Sequence, residues 1–218
     1  MQKIWFVILF IVMSCTIITA QSNRLEFTNI KIKTDFLATP IYRLDNFSSG
    51  LKSNKKWLIV NTSYKVPQFK AGQGMNQWLD DLRVETEIIF SALYQGRSVW
   101  AYATGKTEYW AVELDGKEHR TMVVVPPQVL QRYGSAKNYK NLQLYVRVSF
   151  LDSKTNSLYG RAIVGAGADA KLNSYFETLS GPLGSALRLP NVVMPLEKSP
   201  WALIDIDYQE MLKPETGK

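Results

Sequence analysis

The sequence predicts an all-β fold, namely an immunoglobulin-like antiparallel β-sandwich with two short helical insertions. Apolar and polar residues alternate with a period of two along much of the chain, which is typical of strands with one buried face. Turn-forming residues separate these runs at short intervals, and strands do not alternate with long helices as in a parallel sheet. The chain has one cysteine, so it lacks the cysteine pair of antibody domains, and the immunoglobulin likeness concerns topology only.

Individual strands follow from the period-two pattern. It is clearest in 142–150, where Val146, Val148 and Phe150 belong to an apolar row and Arg147 belongs to the opposite row. The predicted strands are 25–33, 57–66, 82–94, 99–103, 107–114, 117–125, 142–150, 158–165 and 202–208.

Two turns are predicted to join neighbouring strands directly. Asp115-Gly116 separates 107–114 from 117–125, and an Asp-Gly pair supplies the positive φ angles of a type I′ turn, so these two segments are predicted to form a hairpin. The polar run 152–157 is predicted to be a second turn, leading into 158–165.

Two short helices are predicted between strands. The first begins at Pro126-Pro127 and stops at Gly134, because proline suits a first helical turn and glycine a helix end. The second is capped by Asp169 and ends at Gly181-Pro182. Its apolar residues recur at helical spacing and are Leu172, Tyr175, Phe176 and Leu179.

The N-terminus has the composition of a secretory signal peptide. Lys3 precedes an uninterrupted apolar run, and the small residue Ala20 precedes an abrupt change to polar residues. We predict cleavage after Ala20, so that 1–20 is a leader and 21–218 is a single exported domain without cysteine.

Two other fates of this segment remain open. An uncleaved anchor is one, although residues 4–20 would span only ~25 Å of a hydrocarbon core of ~30 Å. Lipidation of Cys15 is the other, although Met13 is bulky for a lipobox and the residues after Cys15 stay apolar. The mature chain is expected to contain no stable membrane span.

Composition excludes several classes of function. The 218 residues include one His and one Cys, too few for zinc fingers, disulfide scaffolds or most His-based sites. Lys and Arg number 26 against 19 Asp and Glu, a net charge of +7, but no nucleic-acid recognition motif accompanies this charge. We expect this basic surface to be solvated and solubilising, and the alternative is that it meets anionic glycans, lipid head groups or an acidic partner outside the cytoplasm. Its clustered lysines are Lys52, Lys55, Lys56, Lys137 and Lys140.

Residues with catalytic or metal-binding chemistry are expected to have structural or solvated roles. His119 is predicted to be a surface residue beside the Asp115-Gly116 turn. The carboxylate pairs lie opposite apolar faces, which predicts solvent exposure rather than glycosidase chemistry, and the adjacent aspartates lack a calcium-loop spacing. These acids are Glu85, Glu87, Asp80, Asp81, Asp205 and Asp207. We expect no enzyme activity, and no catalytic, metal-binding or cofactor-binding residue.

Aromatic residues provide the candidate binding site. Trp100 and Tyr102 share one strand face, and Tyr145, Arg147 and Tyr159 are predicted to lie opposite the main apolar rows. Such rows can form a protein interface or stack on sugar rings, and the third alternative is that a second core or a covering helix buries them.

Three segments carry a resemblance to a known family: LEFTNIKIK at 25–33, WLIVNTSYKV at 57–66 and SPWALIDID at 199–207. In this order, after a short leader, they resemble exported immunoglobulin-like proteins encoded beside type IV pilus genes in gut mucin-degrading bacteria. The resemblance implies a non-enzymatic accessory of a pilus or outer-membrane assembly, in the periplasm, on the outer membrane or outside the cell. The chain lacks the Gly and Glu that flank a pilin cleavage site, so the resemblance does not extend to pilin subunits.

The predicted function is therefore that of an exported envelope or surface protein acting through protein–protein contacts, including contacts with copies of itself. The alternative is a carbohydrate-binding module that uses the aromatic residues as a stacking platform.

Overall fold

Two β-sheets pack face to face and carry two short helices. The computed structural model describes residues 25–40, 55–68, 77–134, 142–165, 169–181, 185–202 and 211–212. The smaller sheet has the order β1-β2-β5-β9 and the larger sheet the order β10-β4-β3-β6-β7, with β8 paired in parallel to β4. An all-β sandwich with two helical insertions is thereby confirmed, whereas its immunoglobulin-like topology stays a prediction.

The element bounds mostly agree with the sequence pattern. The strands are β1 Thr28–Ala38, β2 Lys56–Lys65, β3 Trp78–Tyr94, β4 Arg97–Glu113, β5 Glu118–Val125, β6 Leu144–Asp152, β7 Leu158–Val164, β8 Leu187–Leu189, β9 Met194–Pro195 and β10 Met211–Leu212. The helices are α1 Pro127–Tyr133 and α2 Asp169–Ser180, as predicted, and a 3-10 turn spans Leu196–Lys198. The last three strands are too short to produce a periodic signal.

Some predictions fall wholly or largely outside the described residues. The leader 1–20 with Cys15, and the carboxylates Asp205 and Asp207, lie there. The predicted strand 202–208 is described only at Ala202, which belongs to a turn in which its backbone N–H donates to Ser199 O over 3.1 Å.

The inner faces of both sheets form one apolar core. Residues that alternate along β3, such as Leu82, Val84 and Ile88, are fully buried there. Rings from both sheets meet at its centre, where Tyr64 of β2 lies 4.5 Å from Phe150 of β6. Each large apolar side chain buried in this way contributes about 1.5–3 kcal/mol, so this core supplies the main stabilisation.

The predicted hairpin at Asp115-Gly116 is wrong. β5 pairs with β2 in the smaller sheet, whereas β4 pairs with β3 in the larger sheet. Gly116 does have a positive φ of 76°, but the turn carries the chain from one sheet to the other, and Asp115 bridges to Gln68. The Asp-Gly pair therefore predicted a turn with positive φ at Gly116 correctly, whereas the positive φ at Asp115 that a type I′ turn requires and the predicted strand partner are both wrong.

A hairpin joins β3 to β4 instead. Gln95 and Gly96 both have positive φ, 50° and 74°, as a two-residue type I′ turn requires. The segments 99–103 and 107–114, predicted as separate strands, belong to the single strand β4, because its pairing with β3 continues through Gly105 opposite Thr86.

Gly105 allows a later segment to close one open side of the sandwich. The chain leaves β8 on the larger sheet, crosses at Val193 and enters β9 on the smaller sheet. Val193 is buried and donates its backbone N–H to Thr104 O over 3.3 Å. A Cβ on Gly105 would lie 2.0 Å from Val193 O, so only glycine permits this crossing.

We therefore expect Gly105→Ala to displace this crossing segment and lower the free energy of unfolding by about 1–3 kcal/mol, the usual cost of overpacking. Thr104→Ala is the matched control, because it adds no atom near Val193. Urea titration of both variants tests this, and equal stabilities would contradict it.

The crossover between sheets is also held by charge. His119 Nε2 lies 3.0 Å from Asp115 Oδ1 and donates to it, since an ionised carboxylate only accepts, and Lys117 Nζ lies 3.1 Å from Asp115 Oδ2. Burial alone would raise the pKa of Asp115, but the hydrogen bonds from His119 and Lys117 outweigh burial and lower it from 3.8 to about 2.

The pKa shift of Asp115 predicts a pH dependence. A depressed folded-state pKa gives stability that is present above pH 3.8 and lost as the pH falls through about 2. We expect Asp115→Asn to lower the free energy of unfolding by about 1–2 kcal/mol at neutral pH, with the difference from wild type shrinking between those two pH values.

Unfolding by urea across this pH range measures the effect, with Glu118→Gln as a control because Glu118 is exposed. A difference between Asp115→Asn and wild type that stays constant with pH would exclude the ionised carboxylate as its source.

Candidate functional site

Helix α2 lies over four of the predicted site residues on the outer face of the larger sheet, namely Trp100, Tyr102, Tyr145 and Arg147. Trp100, Tyr145 and Tyr175 of α2 pack edge to face, with ring centroids 5.5–5.8 Å apart. Buried Phe176 and Leu179 of α2 extend this second apolar cluster, which also contacts Tyr102. A covering helix thus half-buries these rings, which was one of the three alternatives for the aromatic residues.

Helix α2 can cover this face because of its apolar spacing and a glycine in the sheet. Leu172 and Phe176 are buried one helical turn apart, as predicted. Gly165 follows the last residue of β7, and a Cβ there would lie 2.3 Å from the ring of Tyr145, so the absence of a side chain leaves space for that ring.

Arg147 is the centre of a buried ionic cluster at the edge of these rings. Its guanidinium forms two hydrogen bonds with Glu87, one of 2.8 Å from Nη2 to Oε1 and one from Nε to Oε2, and it donates over 2.5 Å to Glu177 of α2. Its Cζ lies 4.8 Å from the Phe176 ring centroid. Tyr102 Oη donates to the same Glu87 over 2.5 Å. Arg147 therefore joins the sheet to α2.

Burial alone would lower the pKa of Arg147. The hydrogen bonds with Glu87 and Glu177, together with their negative charges, outweigh burial and raise the pKa of Arg147. The cluster therefore holds a permanent cation whose donors are directed at carboxylates of the protein itself. This geometry suits a docking contact between sheet and helix.

Tyr159 lies apart from the other predicted site residues. The pairing of β6 with β7 shifts register between Phe150 and Leu151, so the alternation of β7 does not continue through this point. The Tyr159 ring packs against the main core, 5.7 Å from Phe27, and its hydroxyl donates to Asp152 over 2.9 Å. Burial and this bond raise the pKa of Tyr159.

An open depression of about 270 Å³ adjoins the ionic cluster. Its polar lining includes Glu85, Glu87, Tyr102, Thr104, Lys106 and Asn191. Glu85 forms an ion pair with Arg83, and Lys106 forms one with Glu108 over 3.1 Å. Among the described residues, no cluster of three metal-ligating side chains has the geometry to hold an ion.

His119 is not the surface residue that was predicted. Its side chain is 11% exposed and its ring lies 5.9 Å from that of Tyr64, because the alternation of β5 places it on the inner face with Thr121 and Val123. Asp81, one of the two adjacent aspartates, forms an ion pair with Lys154 over 2.5 Å.

Two exposed tryptophans form a site that the sequence analysis missed. Trp78 is 42% and Trp110 is 55% exposed, whereas their neighbours Leu79 and Tyr109 pack on the core, so both indoles face outward from the larger sheet. The register partner of Trp78 is Glu113, three positions from Trp110, which places the two backbones about 10 Å apart along the strand direction. We call Trp78 and Trp110 the tryptophan surface.

The missing signal was strand length. The predicted strand that began at 82 gave no parity for residue 78, whereas the structure extends β3 back to Trp78. Trp110 did lie inside the predicted strand 107–114, but the alternation breaks after it, where Ala111 and Val112 are both buried. Asp81, with a positive φ of 56°, lies within β3 close to the tryptophan surface and interrupts the regular alternation there.

A protein-family model matches residues 18–216, which is nearly the whole chain. The chain belongs to that family. No curated protein is significantly similar to it in sequence.

Among solved structures, a crystal structure of a protein from Akkermansia muciniphila, a gut mucin degrader, superposes with a TM-score of 0.65. The match covers 88% of this chain and 95% of that chain at 14% identity, so it bears on the fold alone. Spo0M, a sporulation control protein from Bacillus subtilis, matches over 69% of this chain and 54% of that chain at 8% identity, with a TM-score of 0.26.

The ionic cluster predicts an asymmetric response to mutation. Arg147→Met should lower the free energy of unfolding by about 3–5 kcal/mol, because it leaves Glu87 buried without its partner. Glu177→Gln should cost less than about 1 kcal/mol, since the Glu177 side chain is 67% exposed.

The double variant Arg147→Met/Glu87→Gln tests the physical reason, because it removes the unpaired charge and should recover part of the stability lost in Arg147→Met. Urea unfolding of the three variants measures this. Equal losses for Arg147→Met and Glu177→Gln would contradict the claim that the larger cost comes from leaving Glu87 buried without its partner.

Proposed function

We propose that this chain is an exported, non-enzymatic envelope protein that binds another protein through the tryptophan surface. The observation that carries the proposal is the exposure of Trp78 and Trp110 on one face of a rigid sheet. Tryptophan is the residue most enriched at the energetic centres of protein interfaces, because it buries a large rigid area on binding.

Export is supported by the composition of the N-terminus. The family match begins at residue 18, close to the predicted cleavage site after Ala20, so the shared domain and the proposed mature chain nearly coincide. No helix in the described parts of the chain is long and apolar enough to cross a bilayer.

A non-enzymatic role is supported by what the candidate reactive groups do. Glu87, the buried carboxylate of the outer face, binds Arg147 and Tyr102. His119 donates to Asp115 at the crossover. Both side chains therefore form hydrogen bonds that connect parts of the fold.

The partner class follows from the resemblance to proteins encoded beside type IV pilus genes. A component of such a pilus, or of an outer-membrane assembly, is the partner we propose for the tryptophan surface.

The carbohydrate-binding alternative stays a prediction with less support from the geometry. Trp100 and Tyr145 contact Tyr175 of α2, so α2 would have to move before a sugar ring could stack on both.

Site-specific photo-cross-linking tests the proposed function. A photoreactive amino acid at position 110 of the 21–218 chain, incubated with envelope proteins of the source organism, should give a discrete cross-linked product. The same group at position 33, exposed on β1 of the smaller sheet, should not. Excess unmodified chain should compete for this product, and Trp78→Ser/Trp110→Ser should compete about 30-fold more weakly.

Identical products from positions 110 and 33, or equal competition by the double variant, would contradict the proposal. Circular dichroism of the variant confirms that its fold is intact.

A further inference from the structure

The end of the sandwich opposite the tryptophan surface has a different chemical character. Here the β3–β4 hairpin turns, β5 leads into α1, and β1 ends beside the start of β2. The bridge between Gly134, at the end of α1, and Ala92 of β3 brings the ends of the two sheets together. We call this region the hairpin end.

The hairpin projects beyond the strands beside it. β6 pairs with β3 only as far as Phe90, and β8 pairs with β4 only from Ala101 to Ala103. At its tip, Leu93 is 49% and Tyr94 is 41% exposed. An aliphatic and an aromatic side chain thus stand at the apex of a two-stranded projection.

The hairpin end carries cations and no carboxylate in its described segments. Lys56, Arg97 and Arg132 are exposed there, and none of the three forms an ion pair with a described residue. The segments 37–40, 55–57, 92–98 and 126–134 contain no Asp or Glu. Within these described segments, therefore, no carboxylate lies beside the three cations.

The opposite end differs in charge. Asp81, Asp115 and Asp152 lie there, and Lys154 and Lys117 pair with the first two. Among the described residues, carboxylates therefore pair with lysines at this end, whereas the described segments of the hairpin end contain cations and no carboxylate.

We propose that the hairpin end binds the surface of a bilayer that contains anionic phospholipid. Leu93 and Tyr94 enter the headgroup region. A tyrosine side chain is stable there because its ring is apolar and its hydroxyl is polar. Lys56, Arg97 and Arg132 contact lipid phosphates, which attract basic residues within a Debye length of the surface.

A bilayer fits better than a folded acidic partner because of the shape of this end. The apolar residues and Arg97 lie on a narrow projection, and the other two cations lie behind or beside it, Arg132 on α1 and Lys56 at the start of β2. Insertion of a tip into a fluid interface needs no complementary pocket, whereas a rigid partner would need one. Leu37, 47% exposed near the end of β1, adds apolar area on the smaller sheet.

Vesicle co-sedimentation with the 21–218 chain, which contains every described element, tests the proposal. The chain should bind vesicles of phosphatidylcholine mixed with phosphatidylglycerol, bind phosphatidylcholine alone much more weakly, and dissociate as salt is raised. Arg97→Glu/Arg132→Glu should weaken binding at least about 25-fold, since each basic residue near an anionic surface contributes about fivefold.

The matched control is Lys31→Glu/Lys33→Glu, which makes the same change in net charge on the exposed face of β1 and should weaken binding far less. Leu93→Ser/Tyr94→Ser keeps all charges and should weaken binding about tenfold through lost apolar burial. Circular dichroism of each variant confirms folding.

Equal losses for the two charge-reversal variants would overturn the proposal, because binding would then follow net charge and not the hairpin end. Binding of a soluble anionic polysaccharide or acidic protein without binding of anionic vesicles would overturn it as well. Neither outcome bears on the tryptophan surface, which lies at the other end of the sandwich.

Discussion

The passage of the chain between the two sheets at Asp115 and Gly116 is the constraint on which the rest of the structure depends. It places β5 beside β2 and leaves β4 beside β3, so that both sheets acquire an apolar inner face to bury. The Asp115 carboxylate holds this passage by accepting hydrogen bonds from His119 and from the Lys117 backbone. Separation of the two sheets in this way creates the shared apolar core, the outer face of the larger sheet and the two ends of the sandwich.

The outer face of the larger sheet shows how one sheet supports two kinds of packing. Its inner face buries aliphatic residues, whereas its outer face combines half-buried rings with the pair formed by Arg147 and Glu87. A buried ion pair costs desolvation, and Arg147 of this pair also contacts Glu177 and Phe176 of α2, so the pair lies where α2 is placed on the sheet. That placement half-buries Trp100 and leaves the exposed indoles of Trp78 and Trp110 at the far end of β3 and β4.

Local periodicity predicted most elements because each strand keeps one face in the core. It predicted β6 and α2 with nearly correct bounds, since Val146 and Phe176 sit in unbroken patterns. It failed where the determining contact is distant in sequence: the partner of β5, and the ring of Tyr159 beyond a register shift. For the candidate site, it placed Tyr145 and Arg147 opposite the main apolar rows, where the structure also has them, but it could not predict that α2 covers them, because that contact involves a helix later in the chain.

The central claim is that β4 and β5 belong to different sheets although an Asp-Gly turn joins them. Cross-strand nuclear Overhauser effects between backbone protons measure this pairing directly. The account predicts contacts between β5 and β2, including the pair Thr121 and Thr62, and none between the facing segments of β4 and β5. A ladder of contacts connecting β4 to β5 across the turn would contradict it.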